Sequence, residues 1–320
     1  MLGWREFTSM NTCLRLVVSV LLVLSATVAL AAKHEVDVQE RRPARYPEGV
    51  SVIGDSVWYA EMGANVITRW RQASSESYSM PPGCGPTAVE AYAAQLIVLC
   101  HMSDELLLIN ANGSLVHSQR LSSAGELLYN PNDAVRDDVG GIYFSSSGKF
   151  ALGARAEGKI FYLDKSGRIQ RVANGLHYPN GVDFDADGER LLVAEHFGHR
   201  ILSFDVYGPG ELGQRRTLHE LGEYLGETED WMVGPDGLHL GADGTLRIAI
   251  YARGEVLAIS PGGRLGRIVL PMRYTTTVLH DLRRGLLVGG AFDINTPGLD
   301  GELLLIAPGQ SNYGAEVHGK

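Results

Sequence analysis

The stretch PNGVDFDADGERLLVAE, Pro179–Glu195, admits two foldings. Its Asp183-x-Asp185-x-Asp187-Gly188 core opens like a helix–loop–helix calcium loop, which requires a bidentate Glu at its twelfth position. Counted from Asp183 that position is Ala194, and Glu195 falls one residue late. Val182, Phe184, Leu191 and Val193 alternate with other residues at a strand period, and Asp185-Ala-Asp-Gly188 between the two runs is turn chemistry. The stretch is therefore a β-hairpin, and its aspartates belong to the turn.

The hairpin recurs. Pro47-Glu-Gly-Val, Pro131-Asn-Asp-Ala and Pro235-Asp-Gly-Leu each open an apolar strand, followed by a turn and a second apolar strand, and Pro86-Thr-Ala-Val is a weaker copy. A third strand often follows, as in Gly158–Asp164, His199–Asp205 and Gly254–Ser260. Prolines 47, 86, 131, 179 and 235 are 39, 45, 48 and 56 residues apart. Several strands at a period of roughly 40–50 residues indicate a β-propeller. Thr275–Leu279, Gly285–Gly289 and Glu302–Ile306 supply a sixth unit. The expectation is all-β: one six-bladed propeller over residues 45–310, with residues 32–44 a linker and 311–320 a tail. Two separate β-sandwiches would need no fixed internal period.

In a propeller the innermost strands line a central channel, so their starts converge at one mouth. Glu48, Asn132, Asn180 and Asp236 would meet there as an oxygen-rich cluster, with His101 and His196 at the ends of second strands beside it. Carboxylates and amide carbonyls are hard ligands suited to Ca²⁺ or Mg²⁺, and the set holds neither thiolates nor a His cluster. Asn and Asp before a strand also cap turns; what favours a site is four of them at matching repeat positions.

The N-terminus reads separately. Arg15, the apolar run Leu16–Leu24 and Ala29-Leu-Ala31 describe a signal peptide over residues 1–31, too short to span a bilayer comfortably. Met10 offers a second possible start. The protein is expected to be exported, to the periplasm or outside the cell, and membrane-anchored if the leader is retained. The net charge of −9 over 320 residues, with no basic run, argues against a nucleic-acid partner. Cys84 and Cys100 remain after cleavage. They flank the second hairpin, an even pair in an oxidising compartment, and are expected to form a disulfide.

Pro47-Glu48-Gly49, Asn130-Pro-Asn132-Asp133, Tyr178-Pro-Asn180-Gly181 and Gly234-Pro-Asp236-Gly237, in this order and spacing, resemble the senescence marker protein/gluconolactonase family of six-bladed propeller lactonases. The resemblance spans about residues 45–307. It implies one catalytic divalent cation held by Glu48, Asn180 and Asp236. Calcium is the first choice, and magnesium, manganese and zinc are alternatives. It also implies Asp236 as the catalytic base and Asn132 as a contact to substrate or to a metal-bound water; apart from the resemblance, the place of His101 and His196 at the mouth would let either orient substrate. The implied activity is hydrolysis of a small-molecule lactone or related ester; the alternative is a non-catalytic propeller that binds a ligand or protein at the same mouth. One departure bears on substrate: sugar-lactonase members often carry an Arg where this chain has Asn130, which leaves an apolar lactone or ester equally open.

Other motifs carry less. Gly208-Pro-Gly210-Glu-Leu-Gly213 matches a dinucleotide fingerprint in letters only, since a Pro occupies the tight turn and no βαβ unit surrounds it. No Gly-x-Ser-x-Gly elbow or zinc-type Cys/His spacing occurs. Asn112-Gly-Ser114 is hairpin-turn chemistry, and His239, between Leu238 and Leu240, reads as structural.

Overall fold

A computed structural model describes residues 34–35, 37–226, 229–308 and 315–316. The expected leader, residues 1–31, lies outside the described residues.

Six blades of four antiparallel strands make up the propeller unit, and one of them is widened to a six-stranded sheet by two short strands that pair parallel at its edge. Their innermost strands are Pro47–Ile53, Pro86–Tyr92, Pro131–Arg136, Pro179–Phe184, Gly234–Leu240 and Tyr274–Asp281. Each touches the next, and the last touches the first, so the ring is closed. Alternation along Pro179–Glu195 becomes the pairing Val182↔Val193 and Phe184↔Leu191, the expected hairpin.

Burial follows strand position within a blade. Second strands are packed on both faces by neighbouring blades and are apolar along most of their length, as in Gln95–Cys100 and Ile142–Ser146. Outermost strands such as Ser74–Ser79 and Leu115–Gln119 are largely exposed. Between blades two and three, Ile97, Leu99, Phe144 and Phe161 are wholly buried, with the two Phe rings stacked 5.5 Å apart. Each such side chain contributes roughly 1.5–3 kcal/mol relative to exposure.

Two boundaries differ from the sequence expectation. Residues 32–44, expected as a linker, contain the strand Val38–Arg45, which pairs with Asp300–Ile306 as the outer strand of blade six. The first part of the chain thus fastens the last blade. Within the expected tail, Ala315–Glu316 pairs with Ile268–Val269 at the edge of blade five, and His34–Glu35 pairs with it in turn.

All six innermost strands share a distortion. Each pairs regularly at its start (Pro47↔Glu61, Pro86↔Cys100, Pro131↔Ser146, Pro179↔Glu195, Pro235↔Ile250 and Thr275↔Gly290), and then the register shifts by one extra residue. A β-bulge of this kind re-aims a side chain.

Candidate functional site

The bulges bring six side chains to equivalent places around the channel: Glu48, Thr87, Asn132, Asn180, Asp236 and Thr276. The two threonines are structural clasps, each donating its hydroxyl to the carbonyl of the proline opening the next blade, Pro131 and Pro47. The glycine after three of the others has a steric reason. A Cβ on Gly49, Gly181 or Gly237 would lie 2.6 Å from the neighbouring blade's backbone. The Pro-x-Gly pattern therefore combines an inward-facing side chain with close inter-blade packing.

Glu48, Asn132, Asn180, Asp236 and His101, all anticipated from sequence, line one cavity of about 160 Å³. All five are buried. Burial, followed by the charges of Asp236 and Asp133, raises the Glu48 carboxyl well above its usual range. Burial and Asp133 do the same to Asp236, opposed by hydrogen bonds from the Gly237 backbone and the Asn180 amide. Asp236 Oδ1 is buried without a hydrogen-bond partner. His101 is held down to about 4 by burial, and its Nδ1 lies 3.2 Å from the Pro131 carbonyl. Nδ1 facing a carbonyl makes it the donor and leaves Nε2 an acceptor in the neutral ring.

The strand-end acids do other work. Glu61 accepts the Arg45 N–H at 3.0 Å and the Thr68 hydroxyl at 2.6 Å, and Glu195 accepts the His177 N–H at 2.9 Å and Arg200 Nε at 2.5 Å. His196, considered beside His101, is wholly buried with its ring nitrogens against the carbonyls of Pro235 and Met232, and does not line the cavity. His239 lies elsewhere, around a second cavity of about 300 Å³, with its Nδ1 3.0 Å from Asp183.

Sequence reading missed Tyr46, Met62, Thr87, Met102, Phe150, Tyr178 and Tyr251, which complete the lining. Tyr46 and Tyr178 left one signal: each precedes the proline of its motif. Both have left-handed backbone, φ 47° and 60°, as do Gly85 and Asn130 at the same place in blades two and three. That conformation is unusual for a non-glycine residue. Their carbonyls accept the N–H groups of Met62, His101, Ser147 and His196, so each turn seats the residue that follows the second strand. Asn130 spends its side chain on the His101 carbonyl at 2.9 Å.

Among the described residues no group of three or more His, Cys, Asp or Glu side chains is placed to hold a metal. The set at this mouth is mixed, two carboxylates and amides. Two buried carboxylates without a counter-charge, one with an orphaned oxygen, fit a hard divalent cation.

The family described as SMP-30/Gluconolactonase/LRE-like region matches residues 46–287. The chain belongs to this family. Among SMP-30/gluconolactonase-like proteins, the lactonase drp35 of Staphylococcus saprophyticus is 25% identical over 245 residues, covering 74% of this chain and 70% of that protein. In fold the chain is similar to a calcium-binding protein, regucalcin, from Agrobacterium tumefaciens (TM-score 0.67, 17% identity, 91% of this chain and 100% of that one). It is also similar to a gluconolactonase from Xanthomonas campestris (TM-score 0.64, 20% identity, 88% and 93%).

Proposed function

We propose that the protein is a hydrolase of a lactone or related ester that uses one divalent cation, calcium in the first place, held by Glu48, Asn180 and Asp236. The observation that carries this reading is the orphaned, buried Oδ1 of Asp236 beside the equally buried Glu48. A family whose relatives include lactonases supports the substrate class. When bound, such a cation polarises a carbonyl and offsets the negative charge that grows on its oxygen during acyl transfer. Asp236 is the base for the attacking water, a carboxylate whose proton affinity is raised by burial and by the charge of Asp133. The Asn180 amide, bonded to Asp236, orients that carboxylate. Asn132 supplies an amide to the substrate, and neutral His101 offers an acceptor at Nε2.

The test is turnover of a panel of lactones and esters with Ca²⁺, with chelator, and after Ca²⁺ is restored. Activity that is lost and regained supports the reading. A panel without turnover returns the protein to the non-catalytic alternative. Export is part of the same proposal. The Cys84–Cys100 disulfide, Cα atoms 4.5 Å apart, supports it because such bonds persist in oxidising compartments. Mass spectrometry of the mature N-terminus, expected at Ala32, checks it.

A further inference from the structure

The cavity's lining is mixed. Glu48, Thr87, Asn132, Asn180 and Asp236 come from the bulges of the innermost strands and His101 follows a second strand, whereas Met62, Met102, Phe150 and the rings of Tyr46, Tyr178 and Tyr251 form the remainder. Among the described residues no Lys or Arg lines it. Several of its other polar atoms are already committed. The hydroxyls of Tyr46 and Tyr251 bond each other at 2.7 Å, and the Thr87 hydroxyl and His101 Nδ1 both lie 3.2 Å from the Pro131 carbonyl.

Phe150 organises the apolar part. It lies between the second and third strands of blade three, half-buried, with its ring stacked on Phe197 at 5.2 Å and within 5.0–5.3 Å of Tyr178, His196 and Trp231. Met102, 65% exposed, continues the apolar surface outward. A volume of about 160 Å³ is close to the ~150 Å³ that holds a single benzene ring in an engineered cavity.

Resting on the reading of this site as one for lactones, we propose that it selects a monocyclic lactone bearing an apolar, preferably aromatic, substituent, and rejects polyhydroxylated sugar lactones, with Phe150 setting the choice. A single lactone ring fills the cavity with its carbonyl toward Glu48 and Asp236, and the substituent runs outward over Phe150 and Met102. A sugar lactone would instead press several hydroxyls against ring faces and thioethers, where they lose water without gaining partners.

Calorimetry with non-hydrolysable lactams on the full mature protein in Ca²⁺ tests this without requiring turnover. The probes are 2-piperidone, 6-phenyl-2-piperidone and gluconolactam. The phenyl lactam should bind roughly tenfold more tightly than either of the others, the scale of one good aromatic contact. Phe150→Ala should shrink the ratio between phenyl and unsubstituted lactam by most of that factor. Phe150→Leu, which keeps apolar bulk, should shrink it less and serves if the Ala variant does not fold. Gluconolactam binding as tightly as the phenyl lactam, or an unchanged ratio in both Phe150 variants, overturns the proposal. Hydrolysis of the matching lactones separates the two readings. Tight phenyl-lactam binding without turnover overturns the hydrolase alone, and faster turnover of glucono-δ-lactone than of the phenyl lactone overturns the selectivity alone.

Discussion

Asp236 is buried, as is Glu48, whose carboxyl its charge raises, and the sign of its effect on stability depends on whether a cation is bound there. In chelator, Asp236→Asn removes a buried charge and should raise Tm. In Ca²⁺ at a hundred times Kd the wild type should gain about 2.7 kcal/mol, most of which the variant lacks. Thermal shifts in both media check this, and an Asn variant that keeps the full calcium shift places the cation elsewhere. His101 yields a pH prediction. Held neutral down to about 4, it binds a proton more readily in the unfolded chain, whose histidine titrates near 6.5. Stability therefore falls as pH drops from about 6.5 to 4, by up to roughly 3 kcal/mol for this residue. Tm against pH should be flatter over that window in His101→Gln; parallel curves would refute the assignment. Gly181→Ala should cost about 3 kcal/mol and weaken calcium binding with it, because the added carbon meets the Asp236 carbonyl at 2.6 Å; urea unfolding and a calcium titration measure the two. At this scale sequence reading found Glu48, Asn132, Asn180 and Asp236 because each repeats at a fixed offset from a proline. Phe150, Met62 and Met102 stayed hidden because they stand on connections between strands, whose lengths and residues differ from blade to blade.

The hairpins were legible because a strand buried on one or both faces must repeat its apolar residues at short intervals. The bulge was not, since an extra residue in one strand shows only against its partner. It is nevertheless the bulge that places a proposed ligand side chain beside a glycine in one inner strand. The disulfide sits at the corresponding point of blade two, tying the approach to the innermost strand to the end of the second strand, immediately before His101 and Met102. Replacing both cysteines by serine should cost roughly 3 kcal/mol by the loop-entropy argument for a 16-residue separation. Since Met102 N–H bonds the Cys84 carbonyl at 3.0 Å, the same change should weaken binding of apolar ligands more than binding of calcium. Chemical denaturation measures the loss of stability, and titrations of the double variant with the phenyl lactam and with calcium compare the two ligands; equal losses of both would mean that the bridge supports the whole site and not that corner of it.

Across the whole molecule the ring is held shut at one seam, where Val38–Arg45 lies against Asp300–Ile306. Sequence reading took this segment for a linker because Gln-Glu-Arg-Arg-Pro-Ala-Arg is charged and only partly buried, as an outer blade strand is, and because its partner lies some 260 residues away. Removing residues 34–45 should leave blade six without its outer strand and Leu303 and Leu304, now wholly buried, partly uncovered. The expected result is loss of cooperative unfolding in urea and of the calcium-induced thermal shift together. A truncated protein that keeps both would show that the seam is dispensable.

That seam gives synthesis an order. Arg45, which ends the closing strand, stands three positions before Glu48, and its N–H is tied to Glu61 of blade one. The fastener thus just precedes the first of the proposed ligands in the chain, and its partner strand is made some 260 residues later. An interrupted chain has no closed ring to gather Glu48, Asn180 and Asp236. On the proposed reading of the site, activity then waits for the last blade, so a product cut short of it would be inert, and an active molecule would vouch for its own closure.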